Sequence, residues 1–214
     1  MNWFNIGGNR QTFRPVRRGG INQRRTNLHQ HQMETLGYGD FHEAVKLPEG
    51  EDLNEWLANG VVDFCNQLEI LYRTITEFCT PETCPVMSAG QGFKYLWSDN
   101  NQYLRPTEVS APEYISLLLD WVKDQIYNED IFPTAQGKPF PDNFQQVIKN
   151  IMKRLFRIYA HCYWHHIDNF KTLGTDSHLN TSFKYFMCFT LEFNLIPPDQ
   201  LEPLHDRIES ITRS

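Results

Sequence analysis

A chain of 214 residues and 25.3 kDa suits one domain with a tail rather than two large domains. Hydrophobic residues are 40% and aromatics 14%, enough for a sizeable core, which excludes wholesale disorder. The formal net charge of −6 argues against a nucleic-acid partner, and no stretch approaches the roughly 18 apolar residues of a membrane-spanning helix.

The charge is unevenly spread. Residues 1–25 hold six arginines (Arg10, Arg14, Arg17, Arg18, Arg24 and Arg25) and no acid, leaving 14 basic and 26 acidic side chains elsewhere. This stretch has no apolar period and is expected to be a flexible basic arm. A short helix-like stretch follows over 27–36, closed by Gly37 and Gly39. It belongs to a switch segment bounded at 26–40, with the main domain at 41–214.

The first strong element runs from about Glu51 to Tyr72, where Leu53, Leu57, Val61, Phe64, Cys65, Leu68 and Leu71 share one face at about 100° per residue. Its outward side is expected to carry Glu51, Asp52, Glu55, Asn59, Asp63, Asn66 and Glu69, with Trp56, Val62 and Ile70 among them. An exposed Trp in an acidic stripe suits docking of a basic amphipathic helix; an ordinary solvated face with Trp56 folded against a loop is the plainer reading. Phe93, Tyr95 and Trp97 alternate with Lys94 and Leu96 before a Ser98–Asn101 turn, which predicts a small β-hairpin. Ser110-Ala111-Pro112-Glu113 is a capping box opening a helix through Val122. After a Pro-rich loop, a long helix is expected from about Phe144 to Phe170. A central helix over Ser177–Phe193 stops at Pro197-Pro198, and Asp199 with Glu202 caps a last one carrying Leu201, Leu204, Ile208 and Ile211. The expected fold is all-α, a helical bundle with one hairpin.

The five cysteines are odd in number, and no signal peptide is visible, which argues for an intracellular chain without a disulfide framework. Cys79 and Cys84 sit in a proline-stiffened turn, and HCYWHH supplies His161, His165 and His166. Two thiolates and two imidazoles suit one tetrahedral zinc with no open catalytic position. The alternative is two core cysteines and surface histidines. His161 and His165 share a helix face, whereas His161 and His166 lie about 140° apart on an ideal helix, so that pair needs the helix to bend or end. Spacing alone mildly favours His165. Lys153, Arg154 and Arg157 form a cationic patch whose guanidiniums suit bidentate phosphate contacts, as in phosphopeptide recognition. A solvated face with salt bridges is the alternative.

The strings LPEGEDLNEW (47–56), TITEFC (74–79), CPVMSAG (84–90), SAPEY (110–114), KRLFRIYAH (153–161), HLNTSFK (178–184) and EFNLI (192–196) resemble the Mob family, the Mps-one-binder kinase co-activators. The likeness spans about 33–211. QTFRP (11–15) and METLG (33–37) resemble the founding branch and its two phosphorylated threonines, here Thr12 and Thr35. The resemblance implies a Mob/phocein helical bundle and one structural zinc on Cys79, Cys84, His161 and His166. It also implies a kinase-binding face with Glu51, Glu55, Trp56 and Asp63 for the basic regulatory region of NDR/LATS kinases. Lys153, Arg154 and Arg157 match a pocket for phosphothreonine peptides of an upstream Hippo-type kinase. One departure is Leu104, where the founding branch carries a lysine. The implied protein is a non-enzymatic activator in the cytoplasm, with the nucleus as a second compartment, acting in growth control, mitotic exit or cytokinesis. A phocein-like scaffold in a phosphatase–kinase assembly is the alternative, and a zinc hydrolase a remote one, since HExxH is missing.

Overall fold

In the computed structural model, the described residues are 40–212, apart from Asn100 and Gln136. The basic arm, the switch segment up to residue 39, Thr12 and Thr35 lie outside them. Helix starts follow the capping side chains. Asp40 opens α1 (Phe41–Val45) by accepting from the amides of His42 and Glu43. Asp52 opens α2 (Leu53–Arg73), with Oδ1 3.0 Å from the Glu55 amide. Ser110 opens α3 (Ala111–Tyr127) by accepting from the Glu113 amide. Each acceptor satisfies an amide that the first helical turn leaves unpaired.

Helix α4 spans Phe144–His165, a one-residue break at His166 follows, and α5 continues over Ile167–Thr172. Helix α6 covers Asp176–Glu192. The last segment is α7 (Pro198–Leu201), a 3-10 turn (Glu202–Leu204) and α8 (His205–Thr212). The described residues are therefore mostly helical, with α2 packed on α3, α4 and α6.

Aromatic rings fill the junction. Phe64 of α2 meets Phe186 and Phe189 of α6 edge-on at 5.2 and 5.3 Å, and Tyr159 of α4 meets Phe186 at 5.0 Å. Such pairs add about 0.5–1.5 kcal/mol each beyond the area they bury. Gly60 sits under Phe189, and a Cβ there would lie 2.5 Å from the ring tip. The absence of a side chain at Gly60 is what lets α2 and α6 come this close.

Three expectations are corrected. No strand forms among the described residues where a hairpin is expected. Two isolated bridges, Ser88 with Lys94 and Trp97 with Thr107, hold that segment instead. Its period-2 burial is real, since Phe93, Tyr95 and Trp97 turn inward and Lys94 and Leu96 outward, but the pairing partners are too short to extend a ladder. The helix expected to run through to Phe170 breaks at His166. Trp56 is not exposed: it is 1% accessible, because α1 folds over it and the Val45 carbonyl accepts from its indole N–H at 2.9 Å. Helix α1 is too short for its period to show in the sequence.

Candidate functional site

The tightest constellation begins with the loop after α2. The Cys79 amide donates to Ile75 and the Cys84 amide to Thr80, while the Thr83 hydroxyl donates to the Phe78 carbonyl. The Cys84 carbonyl accepts from the Ala111 amide, which ties the loop to the start of α3. Both thiols thus face the end of α4. Cys79 Sγ lies 3.5 Å from His161 Nε2, and Cys84 Sγ lies 3.4 Å from His166 Nε2. All four ligand atoms fall within 4.8 Å of one another, and all four residues are buried, so the cluster could hold one metal ion.

The break at His166 makes this set possible. With φ −130° and ψ 5°, His166 leaves helical geometry while its amide still donates to the Cys162 carbonyl at 2.9 Å. The imidazole swings toward Cys84 rather than continuing about 140° from His161. His165, the residue spacing favours, points elsewhere, with Nε2 3.1 Å from Ser88 Oγ. The other ring nitrogens are held from behind. His161 Nδ1 donates to the Ser88 carbonyl at 2.8 Å, and His166 Nδ1 lies 3.1 Å from Asn169 Oδ1. Bonds of this kind fix the tautomer that aims Nε2 at a metal. Burial pushes His161 down to about 4 and raises the Cys79 thiol well above its usual range. The imidazole is therefore neutral and ready to donate its lone pair, and a cation would make the Cys79 thiolate favourable there.

Two turns earlier on α4, Lys153, Arg154 and Arg157 are half-buried. The Arg154 guanidinium lies between Trp97 and Trp121, 4.8 and 4.5 Å from their ring centroids, and its Nη2 donates to the Ser98 carbonyl at 3.0 Å. Arg157 stacks over Tyr95 at 5.0 Å and donates through Nη1 to the Tyr114 hydroxyl at 2.7 Å. Burial lowers the Arg154 pKa. Among the described residues, no carboxylate lies within ion-pair distance of these three cations. A solvated face laced with salt bridges therefore does not describe them. Aromatic faces hold the guanidiniums in place with no paired carboxylate among the described residues, which suits them to an incoming anion.

The acidic face of α2 is more enclosed than its helical wheel suggests. Glu51 and Glu55 are half-buried, while Asp63 is 8% accessible and accepts from Asn59 Nδ2 at 3.4 Å. Glu69 faces α3 and pairs with Lys123 at 2.9 Å. Ile70 is exposed, as expected. Sequence reasoning missed Tyr95, Trp97, Tyr114 and Trp121 around the arginines. The aromatic alternation through Trp97 was visible, but its target was not.

The Mob1/phocein family model matches residues 33–204. The chain belongs to the Mob1/phocein family. Members of this family are regulatory adaptors, not enzymes. The chain is 49% identical over 211 residues to MOB kinase activator-like 1A of Arabidopsis thaliana, covering 99% of this chain and 98% of that one. It is similarly 49% identical to MOB kinase activator-like 1 homolog B of Dictyostelium discoideum, covering 99% and 97%. Homolog A of the same organism is 48% identical over the full length of both chains. The Mob1/phocein match contains the Cys–His cluster, the cationic patch of α4 and all of α2. No helix among the described residues is long and apolar enough to cross a membrane.

Proposed function

We propose that this Mob-family chain is a non-catalytic cytoplasmic co-activator of NDR/LATS-type protein kinases that also takes phosphothreonine peptides from an upstream Hippo-type kinase. The observation that carries the reading is the guanidinium pair of α4, held by aromatic faces with no carboxylate partner among the described residues. A phosphate brings the charge and the acceptors that those cations lack. The relatives named as MOB kinase activators support a kinase as the second partner.

Its basic regulatory segment docks along α2 through Glu51 and Glu55, with Asp63 beneath and Trp56 supporting the helix from inside. The arm of residues 1–25 and the segment to residue 40 cover this face until phosphate on Thr12 or Thr35 weakens the attraction. The buried cluster holds one structural zinc. Zn–S near 2.3 Å and Zn–N near 2.0–2.1 Å place tetrahedral S and N ligands about 3.6 Å apart, close to the 3.4–3.5 Å separations in the cluster. Bound there, zinc cross-links the 79–84 loop to the end of α4.

Affinity capture from cells with three versions of the full chain tests the scheme. Wild type is expected to retain both a kinase and an upstream phosphoprotein. Arg154→Ala/Arg157→Ala is expected to lose only the phosphoprotein, and Glu51→Lys/Glu55→Lys only the kinase. Full retention of both partners by both variants would sink the reading. Asp63 is left intact because it is buried.

A further inference from the structure

Native proteins seldom leave buried donors unpaired, and several orphans in one place mark where a ligand belongs. Six buried side-chain polar atoms lack a hydrogen-bond partner among the described residues, and three of them belong to the cationic pocket: Arg154 Nη1, Arg157 Nε and the Tyr95 hydroxyl. The Arg157 guanidinium stacks on the Tyr95 ring at 5.0 Å, and Arg154 stacks on Trp97, two residues along the same inward-facing alternation. Orphans elsewhere, on Asn54, Tyr185 and Thr190, have no such company.

We propose that the Tyr95 hydroxyl is a third donor to the anion taken by Arg154 and Arg157, and that it makes the pocket choose a phosphorylated residue over a carboxylate. This rests on the phosphothreonine reading above. A phosphate monoester offers three terminal oxygens in a tetrahedron and can answer three donors arriving from different directions. A carboxylate carries less charge and confines its acceptor sites to two oxygens in one plane, so it meets three donors arriving from different directions with poorer geometry. Burial pushes the Tyr95 phenol up to about 12, with Arg157 opposing, so the group keeps its proton at neutral pH and serves as a donor. The three orphan atoms are shielded from solvent. An arriving phosphate therefore turns the Arg157 guanidinium off the Tyr95 ring, a change that needs side-chain torsions alone.

Tyr95→Phe tests this, because it keeps the ring under Arg157 and removes only the O–H. The probes are a degenerate peptide pool with a fixed phosphothreonine, the same pool with glutamate at that position, and the unmodified threonine pool. Affinity is read by fluorescence polarisation on the full chain. The variant is expected to bind the phosphothreonine pool about ten-fold more weakly, the loss expected for one hydrogen bond to a charged group. Binding of the glutamate and threonine pools is expected to stay as in wild type. Its melting temperature is expected to equal or exceed that of wild type, since a buried unpaired hydroxyl is removed. Equal phosphothreonine affinity in both proteins would overturn the role of Tyr95 while leaving the pocket intact. A parallel fall in all three pools, with a lowered melting temperature, would show a structural role and also overturn it. Failure of wild type to prefer the phosphothreonine pool would instead overturn the phosphothreonine reading, and this inference with it.

Discussion

His165 and His166 are adjacent, yet only one reaches the thiols. His161 and His165 share a helix face, with ring centroids 4.7 Å apart, but His165 turns to the Ser88 hydroxyl. His166 reaches Cys84 because the backbone leaves the helix there. Elemental analysis of purified protein therefore separates the neighbours. His166→Ala is expected to lose most of the bound zinc, whereas His165→Ala keeps close to one equivalent. The grouping of Cys79 and Cys84 with His161 and His166 was legible from the sequence only through family likeness, since spacing points to His165. Backbone departure at one residue leaves no mark in a sequence whose apolar pattern runs on through Ile167 and Phe170. Trp56 carries the same lesson in reverse. Its helical-wheel position placed it outside, and the five residues of α1 put it inside.

Among the elements, those with strong ends were legible. Ser110 acts as the cap that its capping box predicts, α2 and α6 start and stop within about two residues of expectation, and α3 runs on past Val122 to Tyr127. Contacts between elements were not legible. Gly60 in mid-α2 looks like a defect, and helix propensity alone predicts that Gly60→Ala gains about 1 kcal/mol. The 2.5 Å approach to Phe189 reverses the sign. Phe189 is fully buried among Phe64, Trp56 and Phe193 and has little room to move. Overpacking of this kind costs about 1–3 kcal/mol, so the alanine variant is expected to unfold at lower urea, a net loss of about 1 kcal/mol.

The α2–α3 contact has an electrostatic clasp. Lys123 and Arg73 both reach Glu69, at 2.9 and 2.7 Å, and hold its carboxyl below the usual range, the Lys123 hydrogen bond being the largest cause. A depressed carboxylate adds stability above its unfolded pKa, near 4.5, and loses it as pH falls through the lower folded value. Lys123 is raised by the same contact, so its share is lost only in strong alkali, above its ordinary 10.5. Between those limits the clasp is fully present. Denaturation from pH 7 to pH 3 is expected to show a smaller stability loss in Glu69→Gln than in wild type. The difference is of order 1 kcal/mol at most, because the pair is partly solvated.

Across the whole molecule, the Cys–His cluster and the cationic pocket share α4 and the segment that follows α2, with α3 adding Tyr114 and Trp121 to the pocket. Ser88 holds His161, the Tyr95 amide donates to the Met87 carbonyl, and Ser98 accepts from Arg154. The stretch from Cys84 to Ser98 therefore runs from one site to the other. Removing zinc with a chelator is expected to weaken phosphothreonine-peptide binding at least ten-fold under conditions where far-ultraviolet circular dichroism still reports folded helices. Charge is also organised at this scale. The overall −6 averages a six-arginine segment over 1–25 with a strongly acidic remainder, inside which α4 presents a cationic exception.

Placing Arg157 and His161 on the same unbroken turns of α4 has a consequence for how this chain can vary. A helix transmits phase, so one residue inserted between them turns everything beyond by about 100°. The arginines would stay under the aromatic rings while His161 left the thiols, or the reverse. Four residues added together come close to restoring the angle but lengthen the rod by about 6 Å. Chain length between these two positions is thus locked as tightly as residue identity, and loops elsewhere are left to absorb insertions.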